Sequence, residues 1–207
     1  NLFDNRFSQV LSQIAFTGYG SSPLSKFRSS PEFTTNGMLP KAWRRVKGEI
    51  YLYKGGTSGF ANTGKEPFSE FYSAQVAAAM GLDHIYYSLS MWKGQLCSTC
   101  KLFTRKEISF IPASTLIDTS RITEIIAWYD RHGWKESLSD MLVFDAVIRN
   151  TDRHLGNFGF LVDSHTNKLL QPAPIFVQWL IFVLLCIGFR PCKHSPAGKD
   201  IISCALC

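Results

Sequence analysis

The stretch RNTDRHLGNFGF, residues 149–160, joins a helical pattern to a strand-like one through a turn that holds Asp152, His154 and Asn157. On its N-terminal side, residues 137–150 read SLSDMLVFDAVIRN and bring Met141, Leu142, Phe144, Ala146, Val147 and Ile148 into one short run. That run is too apolar all round for a surface helix, so a central helix is expected. On its C-terminal side, FGFLVD, a turn at SHTN and then KLLQP read as a hairpin. Helix, polar turn and hairpin in that order narrow the fold. They leave the question of what an acid and an amide do at the junction.

Phosphoryl transfer uses such a pair. A carboxylate receives or orients the proton of the acceptor hydroxyl, and an amide oxygen a few residues on holds magnesium against the nucleotide phosphates. The spacing Asp152-x4-Asn157 can deliver both from one loop. A plain structural reading competes with this one: Asp152 caps a turn, Asn157 tolerates left-handed backbone, and the His154 ring simply packs. The order of the remaining elements has to choose between them.

Working outward, residues 5–16 (NRFSQVLSQIAF) set Phe7, Val10, Leu11 and Ile14 on one helical face, followed by a Gly- and Ser/Pro-rich loop. AWRRVKGEIYLYKGG, residues 42–56, reads as a hairpin turning at Lys47-Gly48. A Gly-rich loop over 55–64 leads to PFSEFYSAQVAAAMGL, a helix with Pro67 in its first turn and Gly81 as its stop. Residues 84–103 return to strand character around a turn at Lys93-Gly94, and from 119 onward the pattern is helical again. The series of Gly-containing turn, strand Lys54, helix Glu70, connecting strand and Asp-x4-Asn loop is the order of parts in a kinase. Lys54 would neutralise phosphate charge and Glu70 would fix it by an ion pair, with Glu66 as the rival acid. Read singly, Lys54 and Glu70 are equally well a solvated strand end and an exposed helix charge.

These residues resemble a HipA-like serine/threonine kinase domain, a bacterial group with a protein-kinase-like fold often associated with toxin–antitoxin systems. NTDRHLGNFGFL resembles that family's catalytic loop, roughly D-x-H-x-x-N-F. The resemblance implies Asp152 as catalytic base, His154 as loop-stabilising residue and Asn157 as magnesium ligand. TTNGMLPKAW resembles its phosphate loop and implicates Gly37 and Lys41. IYLYKGG resembles its nucleotide-binding strand and implicates Lys54. CKLF falls where the segment joining the lobes would meet adenine, at Lys101, Leu102 and Phe103. The fold implied by this resemblance is α+β and two-lobed, with a small antiparallel-sheet N-lobe carrying one helix and a mostly helical, incomplete C-lobe. The implied cofactors are ATP and Mg2+; the implied partners are a protein with a Ser or Thr acceptor and an antitoxin-like protein. The expected divisions are an N-terminal helix and loop at 1–29, the N-lobe at 30–103, the C-lobe at 104–176 and an atypical tail at 177–207.

The resemblance breaks after LLQPAPIF. The family places an Asp next, as a second magnesium ligand, whereas here the residue is Val177 and no carboxylate follows until Asp200. An isopropyl group offers a hard cation nothing. Either the reading frame is shifted or truncated there, or the chain is a degenerate kinase, and weakened activity is expected in both cases. The apolar run Val177–Phe189 is too short for a membrane span.

Other features point less far. Apolar residues make up 45% of the 207, enough for a sizeable core. The net charge of +6 suits an anionic partner. A basic cluster of Lys41, Arg44, Arg45 and Lys47 around Trp43 could touch nucleic acid, but a solvated hairpin face near a phosphate site accounts for it, and no Lys/Arg-rich groove helix is found. Of six cysteines, Cys97, Cys100, Cys186, Cys192, Cys204 and Cys207, the last four crowd the tail. This is no regular disulfide framework, and the two distant C-x2-C pairs do not have the spacing of one zinc site. The chain begins with Asn1 and shows no leader, so a fragment in a cytoplasmic setting is expected. The rival function is an inactive kinase-like module that binds nucleotide or a partner.

Overall fold

The computed structural model describes residues 2–8, 40–56 and 64–176. Strands β1 (Lys41–Val46) and β2 (Glu49–Gly55) form the expected hairpin. Lys47 and Gly48 both have positive φ, 50° and 87°. This is the geometry of a two-residue turn whose twist matches that of the flanking strands. Such a turn pins the register, and Lys41 falls opposite Lys54. Lys93 and Gly94 repeat the device between β3 (Tyr87–Trp92) and β4 (Gln95–Lys101). Because β4 also pairs with β2, the antiparallel sheet runs β1-β2-β4-β3. Helix α1 (Glu66–Ala79) packs on β3 and β4, with Ala74 buried in one cluster with Tyr87, and Gly81 follows its end at φ 71°.

The second half corrects two expectations. It is not mostly helical: helices α2 (Ile122–Arg131) and α3 (Lys135–Ile148) accompany an antiparallel sheet β5-β6-β7 made of Ile108–Pro112, Gly159–Asp163 and Leu169–Pro172. Strand β5 was not anticipated, since ISFIP lacks alternation and its partner lies far along the chain, beyond both helices. Nor is α3 buried all round. Leu138, Met141, Phe144 and Ile148 enter the core, whereas Val143 and Val147 are 55% and 56% exposed. The described chain packs one side of this helix only.

The two halves meet through backbone and rings. Ala77 of α1 packs with Phe144 and Ile148 of α3. The Ile85 amide donates to the Ile175 carbonyl at 2.8 Å, and the Ile175 amide to the Asp83 carbonyl at 2.8 Å. Phe176 joins Ala74, Ile85 and Tyr87 in one cluster and packs against Phe103 and Phe110 at ring-centroid distances of 6.1 and 5.6 Å. Phe7 is buried, but residues 5–8 are not helical, and the rest of the expected 5–16 helix lies outside the described residues, as do Gly37, most of the 55–64 loop and everything from Val177 on. Among the described residues no helix is long and apolar enough to cross a membrane.

Candidate functional site

Strand β2 points Lys54 inward, where its Nζ donates to Glu70 Oε1 at 2.7 Å and to the Tyr87 hydroxyl at 3.3 Å. The Lys54 and Glu70 side chains are only 8% and 3% exposed. Ser98, the cross-strand neighbour of Lys54 on β4, donates its hydroxyl to the other carboxylate oxygen of Glu70. Burial works against the charge on Lys54, but the Glu70 carboxylate outweighs it and holds the ammonium well above the ordinary lysine range. Of the two acids considered, Glu70 is the one that meets Lys54. Lys41 lies opposite Lys54 on β1 and is buried as well. Burial first, and the charge of Lys54 second, bring Lys41 down to about 8. Two lysines thus lie near one buried carboxylate.

The other candidate residues lie on the loop after α3, which ends with Arg149 in the left-handed region at φ 56°. Asn150 Oδ1 accepts the Asp152 amide at 3.1 Å, a local turn bond that leaves the exposed Asp152 carboxylate outward. Asn157 is 1% exposed and spends its amide inside the loop. Its Nδ2 donates to the Asp152 carbonyl, and its Oδ1 accepts the His154 amide at 3.1 Å. The His154 ring Nδ1 accepts the Gly156 amide at 3.1 Å, so the turn is cross-braced throughout.

Lys101, Leu102 and Phe103 follow β4. Leu102 donates to the Ile50 carbonyl at 2.8 Å, and Lys101 pairs with Glu49 at 3.0 Å on the surface. The three line a cavity of about 390 Å3 together with Phe3, Arg45 and Arg105; neither Lys54 nor Asp152 reaches it. What connects Lys54 to the loop is a path of contacts. Tyr87 touches Lys54, Phe176 packs in the same cluster as Tyr87, and the Phe176 carbonyl accepts Arg153 Nη1 at 3.3 Å.

Asn157, the expected magnesium ligand, is buried, and its Oδ1 accepts the His154 amide; among the described residues no group of three or more His, Cys, Asp or Glu comes together as a metal site. Cys97 and Cys100 are thiols that burial pushes up to about 11, so both are inert strand residues at neutral pH. The basic hairpin face is largely committed: Arg44 lies over the Tyr53 and Trp92 rings at 4.5 and 4.7 Å, and Arg45 donates to the Phe3, Asn5 and Gly48 carbonyls.

No protein-family model matches the chain. The serine/threonine-protein kinase CtkA of Helicobacter pylori is 28% identical over 125 residues, covering 53% of this chain and 38% of that protein. The crystal structure of the proinflammatory kinase CtkA from Helicobacter pylori aligns with a TM-score of 0.58 at 24% identity, over 66% of this chain and 53% of that one. A chain of the Shewanella oneidensis toxin–antitoxin complex of HipA, HipB and operator DNA aligns with a TM-score of 0.55 at 12% identity, over 86% of this chain and 50% of that one. The chain has a HipA/CtkA-like kinase fold. It spans 38% of the curated relative and about half of each solved one.

Within this kinase-like fold, Tyr87, Ser98, Asp145 and Arg153 were not foreseen. Tyr87 and Ser98 look like ordinary strand residues until the sheet order sets them beside Lys54. Asp145 did carry a signal: an acid on the same helical face as Met141, Phe144 and Ile148 has to find a cation, and Arg153 is a near candidate in the chain.

Proposed function

We propose that this HipA/CtkA-like fold binds ATP and serves transfer of the γ-phosphoryl group to a Ser or Thr hydroxyl of a protein. Lys54, fixed by Glu70, holds phosphate oxygens, with Lys41 adding a second positive charge and Gly37 belonging to the covering loop. Asp152 orients the acceptor hydroxyl, and His154 and Asn157 keep the Asp152 turn closed. The observation that carries this reading is the buried Lys54–Glu70 pair at 2.7 Å with Lys41 beside it. A buried ion pair contributes little net stability, so its presence there favours a use for the ammonium. A protein of the antitoxin kind is the partner class that the toxin–antitoxin complex suggests.

No step is assigned to a metal, and with Val177 in place of a carboxylate the expected turnover is weak. A second reading, nucleotide binding without chemistry, is favoured by the internal engagement of the Asn157 amide. One experiment separates the two. Transfer of radiolabelled γ-phosphate is measured for wild type and Asp152→Ala, alongside thermal shifts with ATP in the presence and absence of magnesium. Incorporation that Asp152→Ala abolishes supports the kinase. Equal incorporation in both removes Asp152 from its role. A metal-independent shift with no incorporation leaves the binding module.

A further inference from the structure

We propose that Arg153 is a positioning residue that holds the Asp152–Asn157 turn in register with the segment ending at Phe176, and so with the Lys54 half of the site. The guanidinium grips the Asp145 carboxylate at both oxygens, Nε to Oδ2 and Nη2 to Oδ1, each at 2.7 Å. Its remaining nitrogen, Nη1, donates to the Asn157 carbonyl at 3.1 Å and to the Phe176 carbonyl at 3.3 Å. Asp145 is held in turn by Asn150, whose side-chain amide reaches Oδ1 at 2.8 Å and whose backbone amide reaches the Asp145 carbonyl at 2.8 Å. The Arg153 and Asp145 side chains are 9% and 7% exposed. One planar fork therefore ties the end of α3, the turn and the end of the β7 segment to a single point.

The geometry explains the residue type. Lysine presents a point charge and cannot hold two carboxylate oxygens in plane while donating sideways to two carbonyls, whereas arginine has the fixed fork for it. A role in stability alone accounts less well for the arrangement. A buried ion pair is weak evidence of stabilisation, and an apolar pair of similar size would serve as well. What an apolar pair cannot do is satisfy two carbonyls from separate segments. Register matters because Phe176 packs in one cluster with Tyr87, and the Tyr87 hydroxyl lies 3.3 Å from Lys54 Nζ. The purpose given to this register rests on the kinase reading; the register itself does not.

The test uses the full chain with Arg153→Lys and Asp145→Asn, followed by hydrogen exchange resolved by segment. The expected result in each variant is a joint rise in exchange, by about tenfold or more, over 150–157 and 173–176, with α1 and the first sheet unchanged. The double variant is expected to add little to either single one, since both break the same contact. Where phosphate transfer is measurable, it falls while the KM for ATP holds. A rise confined to 150–157, a rise throughout the chain, or fully additive effects would each overturn the proposal. Should Arg153→Lys not fold, Asp145→Asn keeps the side-chain shape and carries the test alone. If wild type neither binds nor uses ATP, the kinase reading fails while the exchange data still decide the role of Arg153.

Discussion

Lys54 and Lys41 show how two side chains of one type, side by side, acquire different behaviour. Lys54 is neutralised by Glu70, so removing the acid strands a buried ammonium. Glu70→Ala is expected to cost about 3–5 kcal/mol in urea unfolding, whereas the double change Lys54→Met with Glu70→Leu recovers most of it. Both variants are expected to lose nucleotide binding, which separates the contribution to stability from the contribution to function. Lys41 faces Lys54 across the strand pair and titrates near 8 instead of its ordinary 10.5. Between those values the unfolded chain holds more protons than the folded one, so this group makes stability rise with pH across that window. A bound phosphate favours the charged form, so ATP affinity is expected to fall as pH passes above about 8. The same titration in Lys41→Met, by fluorescent nucleotide binding, should lack that fall.

At the scale of elements, the tightest constraint is where β5 and β6 meet. A methyl group on Gly159 would lie 2.0 Å from the Ile111 carbonyl oxygen, against backbone that cannot swing aside. Gly159→Ala is therefore expected to cost about 3 kcal/mol in denaturant unfolding, with the loss centred on this sheet in exchange measurements. The turn just before this junction could be read in advance because its chemistry is local: Asp152, His154 and Asn157 brace one another within a few residues. Both hairpins of the first sheet were legible for the same reason, through Lys47-Gly48 and Lys93-Gly94. Strand β5 was not, since its partner comes from beyond two helices and ISFIP carries no period of its own. The outward face of α3 misled for a related reason. Hydrophobicity reports what a segment could bury, and Val143 and Val147 meet nothing in the described chain that would bury them.

For the molecule as a whole, the joint between its halves is narrow and aromatic. Phe176 stacks on Phe103 and meets Phe110 edge-on. Phe176→Ala is expected to cost about 3–5 kcal/mol and to raise hydrogen exchange on both sides of the joint together, whereas a change confined to one sheet would show that the halves are held elsewhere. The partners of this joint were legible only in part. CKLF was marked for its place beside the base, and nothing in its pattern announced that Phe103 would bind Phe176. The joint also makes the molecule unevenly tolerant of shortening. A stop codon directly after Phe176 would leave all of these bridging contacts in place, while one just before Ile175 would remove the last ring, both backbone links to Asp83 and Ile85, and one of the carbonyls held by Arg153. Two truncations of almost equal length would then part company, the shorter one left with Ala77 against Phe144 and Ile148 as its described contact between the halves.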